Sequence, residues 1–302
     1  MKLDQLRMFV AVADVGSFSA AAVELDCTQS RISHAIAQLE SELNVRLLLR
    51  SHEGSVPTEA GRRVLDKARQ MLRLEGELLA SANPAGVLEG RVRIACFRSI
   101  GTHLLSYAAQ ALGRAHPGIV LDIDDGNSDR LQVTQAVRER RADLAIAQMP
   151  VGRDLVLESY LQDDYVLVTP AALRLSEPIA WRQLDDLAFI RLGCTGADEV
   201  LARCRDAGFG ARAEHSLLND TSIAAMVGRG MGYSILPRLA IFPQPAEVNI
   251  AALPIQARRQ FALAGFADTL RAPHIREVLR LLRDPRMVAR TPAFQAGVLR
   301  WP

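Results

Sequence analysis

The hydrophobic pattern of this 302-residue chain changes period once, near residue 90. Before that point apolar residues recur every three to four positions, the spacing of helices that bury one stripe. After it, short apolar runs alternate with longer helical patterns, as in an α/β sheet. A stretch of helices followed by strand–helix alternation implies unlike units, and the length, too great for one ordinary core, suggests two or three domains. Composition only narrows the class. With 49% hydrophobic and 23% charged residues the chain reads as globular. No apolar run approaches the roughly 20 residues of a membrane span. Lys2, Asp4 and Arg7 interrupt the start, which argues against a secretory leader and for a cytoplasmic protein. Cys27, Cys96, Cys194 and Cys204 lack metal-ligand spacing and read as reduced thiols. Net charge is only +2, and residues 1–60 hold more acids than bases. Any contact with nucleic acid must therefore rest on where particular side chains point, not on a basic field.

The first 60 residues carry a dense run of helix signals. Asp4 is expected to cap a helix through Val15, with Leu6, Phe9, Val10 and Ala13 on one face. Gly16 ends it and Ser17 caps a second helix to about Leu25. Asp26-Cys27 forms a short turn. Thr28 then caps a third helix, from Gln29 to about Leu43. On that helix Ile32, Ile36, Leu39 and Leu43 fall in one narrow stripe, the expected core face. The opposite face presents Ser30, Ser33, His34 and Ala37, with Gln29 in the first turn. Small hydrogen-bonding side chains let a helix approach a major groove and reach base edges. Arg31 and Gln38 flank that face, where phosphate contact is natural.

The run from Leu6 through Phe9-Val10, Val12-Ala13, Gly16-Ser17-Phe18, Ala21-Ala22 and Leu25, then Thr28-Gln29-Ser30, Ile32-Ser33, Ile36, Leu39-Glu40 and Leu43, closely resembles the N-terminal domain of the LysR family. It continues through Leu47, Arg50 and Thr58-Glu59-Ala60-Gly61. The resemblance implies a winged helix-turn-helix that binds double-stranded DNA. It assigns DNA recognition to Gln29, Ser30, Ser33 and His34, and a phosphate contact near the wing to Arg50. A salt bridge from Arg50 to Glu40 is the alternative. Asn44 stands where the family usually has Gly, and Asn tolerates the same left-handed turn.

Leu47–Arg50 and Ser55–Pro57 suit a two-stranded wing with Gly54 in the turn. Thr58 caps a long helix on which Leu65, Ala68, Leu72 and Leu79 lie near a coiled-coil seam, beside Val64, Met71 and Leu78. A partner helix is the expected cover. In the family this helix dimerises, which suits a two-fold DNA site, and members are commonly tetramers. Arg62, Arg63, Lys67, Arg69 and Arg73 are expected on its polar face.

Beyond the Pro84/Gly86/Gly90 break, strands at 92–97, 119–123 and 144–147 alternate with helices at 103–115 and 127–140, implying a parallel sheet. Further strands are expected at 164–169, 188–192, near 213, at 233–237, 248–253 and 261–265. Helices are expected at about 197–207, from 221, and at 273–283, with the tail from Asp284 loose. The pieces Gly90-x-Val92-x-Ile94, His116-Pro117, Ala142-Asp143-Leu144-Ala145-Ile146 and Val227-Gly228-x-Gly230-x-Gly232-Tyr-Ser-Ile-Leu-Pro237 resemble the LysR effector domain. That likeness implies a type-2 periplasmic-binding-protein fold, with two α/β subdomains enclosing a cleft. The expected division is residues 1–58 for DNA binding, 59–82 for the dimer helix, 83–90 for a hinge and 91–302 for effector binding. Within the last, 91–148 and 254–302 form subdomain I and 149–253 subdomain II.

Ligands of such sheets sit beyond strand carboxyl ends, near helix N-termini. This points to Arg98, Ser99, Thr102, Asn127 and Gln148, and across the cleft to Cys194, Thr195 and Thr221. The expected effector is small and polar or anionic; helix capping alone would equally explain Ser99, Asn127 and Thr221. No catalytic motif, cofactor fingerprint or metal-binding set is present, so an enzyme is not expected. One alternative within the same architecture is a redox sensor using Cys194 and Cys204, with Arg191, Arg203 and Arg205 favouring thiolates. Peroxide sensors of this family hold two cysteines in roughly this region, but two ordinary thiols are the preferred reading. A transport protein sharing the sensor fold is disfavoured by the helix-turn-helix. RNA polymerase is a further candidate partner.

Overall fold

The structure, a computed structural model, describes residues 1–51, 54–81, 88–176 and 178–302. The break expected at Pro84 and Gly86, with most of the 83–90 hinge, lies outside the described residues. The chain forms two compact units, one N-terminal and one beginning at Leu88.

In the N-terminal unit three helices, α1 (Leu3–Val15), α2 (Phe18–Glu24) and α3 (Gln29–Leu43), pack around Phe9, Val12, Ala21, Ile32, Ile36 and Leu39. The small Ala21 and Ala22 are buried between them. Gly16 closes α1 at φ +70°, and Ser17 and Thr28 accept the N–H groups of Ala20 and Arg31 at the next two helix starts. Asp4 does not cap α1. The backbone N–H of Lys2 donates to Gln5 Oε1 at 2.7 Å, which places Asp4 inside the first turn. Asn44 takes the left-handed position at φ +49° and ends α3. The wing strands β1 (Leu48–Ser51) and β2 (Gly54–Pro57) pair antiparallel. The wing docks on the α1–α2 turn, where Ser55 N–H donates to Gly16 O at 2.7 Å. A Cβ on Gly54 would stand 2.7 Å from that same oxygen, so only glycine permits the approach. Thr58 accepts Gly61 N–H at 2.8 Å and starts α4 (Glu59–Ser81).

Helix α4 divides along its length. Leu65 and Ala68 are buried in the unit's own core, so the first half of the expected seam is already covered. Met71, Leu74, Leu78 and Leu79 remain exposed. Arg69 is not on the polar face as expected; it is buried and paired with Asp14.

The second unit is a mixed sheet in the order β4-β3-β5-β11-β6-β9-β7-β8, with β10 on β6. Here β3 is Gly90–Phe97, β4 Ile119–Asn127, β5 Leu144–Gln148, β6 Val156–Pro170 and β7 Phe189–Leu192. The remainder are β8 Ala213–Leu217, β9 Tyr233–Pro237, β10 Val248–Ala252 and β11 Arg258–Gly265. β3 runs parallel to β4 and β5, and β7 parallel to β8 and β9, as βαβ units require. β11 and β6 are antiparallel to their neighbours and link the two halves. Two separate apolar cores result, each with its own helices, and together they make two lobes.

The change of lobe occurs inside strands, not at Gln148–Pro150 and Leu253 as expected. Leu155, Tyr160 and Leu161 of β6 belong to the first core and Tyr165–Val168 to the second. On the return, Ala257 belongs to the second core and Phe261 to the first. β6 was expected only from residue 164. Its first half breaks the apolar alternation with Glu158, Gln162 and Asp163, each of which has a specific partner.

The first helix begins five residues early. α5 (Arg98–Ile100) leads through a π-helical turn, Gly101–Leu105, into α6 (Ser106–Ala115). α7 (Arg130–Arg138) starts later than expected because β4 extends to Asn127. α8 (Thr195–Asp206), α9 (Asp220–Gly228) and α10 (Pro273–Leu282) follow, then α11 (Pro285–Val288) and α12 (Pro292–Gln295). The tail is not loose: Val288 and Leu299 are fully buried, and the backbones of Arg300 and Gln162 exchange hydrogen bonds at 2.8 and 3.0 Å.

Candidate functional sites

Ile32, Ile36 and Leu39 are buried at 1% exposure or less and pin α3 to the N-terminal core. Leu43 is not the fourth member of this stripe. It lies in the last turn and is 38% exposed. The opposite face carries Gln29, Ser30, Arg31, His34 and Gln38 exposed, with Ser33 half-buried. Two small networks order these side chains. Gln38 hydrogen-bonds the His34 ring at 3.1 Å and accepts from Gln5 at 3.2 Å. Arg50 donates to Ser33 Oγ at 3.0 Å and lies 4.0 Å over the Phe18 ring. Arg50 does not pair with Glu40, whose carboxylate accepts the N–H groups of Leu47 and Leu48 and so anchors the start of the wing. A guanidinium held over an aromatic ring has lost rotamer freedom and keeps donors for an outside acceptor. Seven polar side chains thus share one side of α3 and the adjoining wing.

The second site is a cavity of about 50 Å³ between the two lobes of the second unit. Of the residues singled out in the sequence, Arg98, Ser99, Asn127, Gln148 and Cys194 line it. Thr102 does not; it is exposed further along the helix, its carbonyl accepting Ser106 Oγ. Thr195 is not a wall residue, because the backbone turns into α8 there and its N–H donates to Asp129 at 2.6 Å. Thr221 lies on the other side of α9, in a groove with Phe242 and Pro243. The Asn127 amide donates to the carbonyls of Cys96 and Asp124, which fixes the end of β4.

Arg259, a wall residue the sequence reading missed, dominates the cavity's electrostatics. It is 3% exposed and gives Asp163 a two-pronged ion pair at 2.7 and 2.8 Å. Asp163, fully buried, also accepts Leu239 N–H at 3.0 Å. A further donor of Arg259 reaches Ser99 Oγ at 3.5 Å. Burial works against the guanidinium charge, but the adjacent Asp163 outweighs it and holds Arg259 above its ordinary range. The pair joins β6 to β11 where the chain changes lobe. Its partners are 96 positions apart. The local signal is weak, because Asp163 stands beside Gln162 and Asp164 in β6 and Arg259 beside Arg258 and Gln260 in β11.

Cys194 and Cys204 are free thiols, and their placement does not favour the alternative of a redox pair. Cys194 precedes α8 and Cys204 lies near its far end. A helix rises 1.5 Å per residue, so about 14 Å of axis separates them, twice what a disulfide can span. Burial pushes the Cys194 thiol up and takes Cys204 to about 11. Arg191 does not favour a thiolate, being bound to Asp198 at 2.6 Å, and the pull of Arg203 on Cys204 is outweighed by burial. Among the described residues no group of acids, His and Cys could hold a metal ion. Among them, too, no single helix is long and apolar enough to cross a membrane.

The chain matches two family models in sequence: a bacterial regulatory helix-turn-helix protein of the lysR family over residues 3–62, and a LysR substrate binding domain over residues 85–285. It is 36% identical to the probable HTH-type transcriptional regulator LrrA of Synechococcus elongatus, over 94% of this chain and 97% of that protein. It is 29% identical to a probable hydrogen peroxide-inducible genes activator of Mycobacterium leprae, over 92% of each. A full-length OxyR variant from Pseudomonas aeruginosa shares the fold at a TM-score of 0.70, with 21% identity over 97% of this chain and 96% of that one. The regulator CbnR in complex with its target DNA does so at 0.55, with 21% identity over 95% of this chain and all of that one. With the α3 face and the two-lobed unit in place, these matches establish that the chain belongs to the LysR family of DNA-binding transcriptional regulators.

Proposed function

We propose that the chain reads a specific duplex sequence with one face of α3 and that a small polar or anionic ligand, bound between the lobes of the second unit, sets its activity. Gln29, Ser30, Ser33 and His34 would face base edges, and Arg31, Gln38 and Arg50 the phosphates. The carrying observation is the division of α3: its apolar stripe is buried, while its polar face is exposed and ordered by Gln5, Gln38 and Arg50. The exposed Met71, Leu74, Leu78 and Leu79 on α4 support a homo-oligomer, since an apolar strip of this size is normally covered. A dimer would present two α3 helices to a two-fold site in the cytoplasm, where RNA polymerase is a candidate contact.

The ligand reading rests on the polar lining contributed by Arg98, Ser99, Asn127, Gln148 and Arg259. A thiol-redox control by Cys194 and Cys204 is disfavoured by the length of helix between them. Selection of bound duplexes from a random library tests the DNA reading. The expected product is a paired half-site spaced by about one helical turn, roughly 10 base pairs. Failure to enrich any sequence would overturn it.

A further inference from the structure

The cavity holds about 50 Å³, whereas small-molecule sites usually need roughly 300 Å³ or more. A ligand can therefore enter only if the lobes part. Two contacts at the mouth hold them together, and both come from consecutive residues before and at the start of α7. Asp129 accepts the Thr195 backbone N–H of the opposite lobe at 2.6 Å, while its other oxygen accepts Leu131 N–H at 2.8 Å. Arg130 makes a two-pronged pair with Glu199 of α8 at 2.8 and 2.5 Å. Val133, Ala136 and Val137 root α7 in the first core, and Ala197, Val200 and Leu201 root α8 in the second. Behind the mouth, Gln148 of the first lobe lies against Gly196 of the second, where any larger residue would collide with its amide.

We propose that Asp129 and Arg130 form a latch, carried by α7, that closes the two lobes over the cavity and gates ligand entry. Each latch residue is doubly fixed. Asp129 is oriented by the turn it caps, and Arg130 is only 12% exposed in its side chain against 49% for Glu199. Burial alone would raise the Asp129 carboxyl, but the bonds from Thr195 and Leu131 and the Arg130 charge hold it below its ordinary value. It is therefore a charged acceptor on a backbone donor, the stronger class of hydrogen bond. The gating role rests on the ligand reading given above; the latch itself does not, and it is tested without a ligand.

Cys194 is a natural reporter because it lines the cavity between the lobes. Its alkylation by iodoacetamide, resolved by peptide mass spectrometry in the full-length protein, follows opening. Cys27, in the other unit, and the buried Cys204 serve as internal references. Glu199→Ala and Arg130→Ala are expected to raise the Cys194 rate about three-fold or more, with both references unchanged. Asp129→Ala also alters the charge near Cys194, so it is read by amide hydrogen exchange instead. Exchange across residues 144–148 and 195–199 is expected to quicken about ten-fold, and that of 248–252 to stay constant. Should Cys204 quicken as well, the lobe has unfolded, and the shape-preserving Glu199→Gln is read in its place. Rates for Cys194 and for residues 195–199 within a factor of about 1.5 of the parent protein would overturn the latch. An open cavity in these variants that then takes up no ligand would leave the latch standing and count against the ligand reading alone.

Discussion

The polar groups of the α3 face and those of the cavity differ in what they are doing. On α3, Gln29, Ser30, Arg31 and His34 are exposed, and the protein bonds nearby orient the face from its edges. In the cavity, Arg259 is committed to Asp163 and Asn127 to two carbonyls, and beside it the Thr195 N–H is committed to Asp129. The first surface leaves most of its polar groups exposed, whereas in the second Arg259 and Asn127 are bonded to the protein itself. Recognition by a rigid face costs little ordering, whereas recognition by a closed cleft couples ligand to conformation. That contrast suits a regulator, in which one site must be constant and the other responsive.

The largest expected effect lies in the closed site. Asp163→Ala strands a buried guanidinium and should cost about 3–5 kcal/mol of stability in urea titration. A joint Asp163→Leu, Arg259→Met variant should recover most of that loss, because the stranded charge goes with its partner. If the single and double variants are equally unstable, the cavity is not held by this pair and the contrast weakens. On the open site, His34→Ala should leave stability within about 0.5 kcal/mol. Its cost, about 1–3 kcal/mol for a base-edge hydrogen bond removed, should appear only in specific DNA binding. Comparable losses in stability would show that the face is structural.

Two smaller effects sharpen the picture. Arg50→Lys removes the guanidinium plane over Phe18 and should weaken DNA binding by about 1 kcal/mol, as read from retardation at fixed salt. The raised thiol of Cys204 gives a pH signature. Folding favours the protonated form, so its contribution is complete below pH 9 and is lost as pH climbs toward about 11. Native-state alkylation of Cys204 should stay slow until that range. Mild peroxide should give no Cys194–Cys204 disulfide, and one that formed readily would mean that α8 unwinds.

The N-terminal unit was legible because its signals are local. Gly16, Ser17, Thr28 and Asn44 each act on a neighbour within a few residues, and the stripe Ile32–Ile36–Leu39 is read from one turn to the next. Leu43 escaped this logic because the helix ends beside it, beyond the reach of the core. The sheet's parallel units were legible for the same reason. What stayed hidden was non-local. Asp163 and Glu158 make the first half of β6 look like a loop until Arg259 and Arg283 are placed beside them. The prolines and arginines of the tail suggested looseness, but Trp301 packs on Tyr160 with ring centres 5.7 Å apart. Thr102 and Thr221 shared the chemistry of the wall residues; only the rotation of their helices takes them out of it.

The division of α3 into a buried stripe and a reading face is tested most directly by footprinting the full-length protein on its selected duplex. The comparison is with a Gln29→Ala, Ser33→Ala, His34→Ala variant whose folding is verified by circular dichroism. The account predicts that the variant still retards duplexes in general but protects no particular bases, because phosphate contacts survive and base contacts do not. A variant that folds normally and protects the same bases at the same concentration would contradict it.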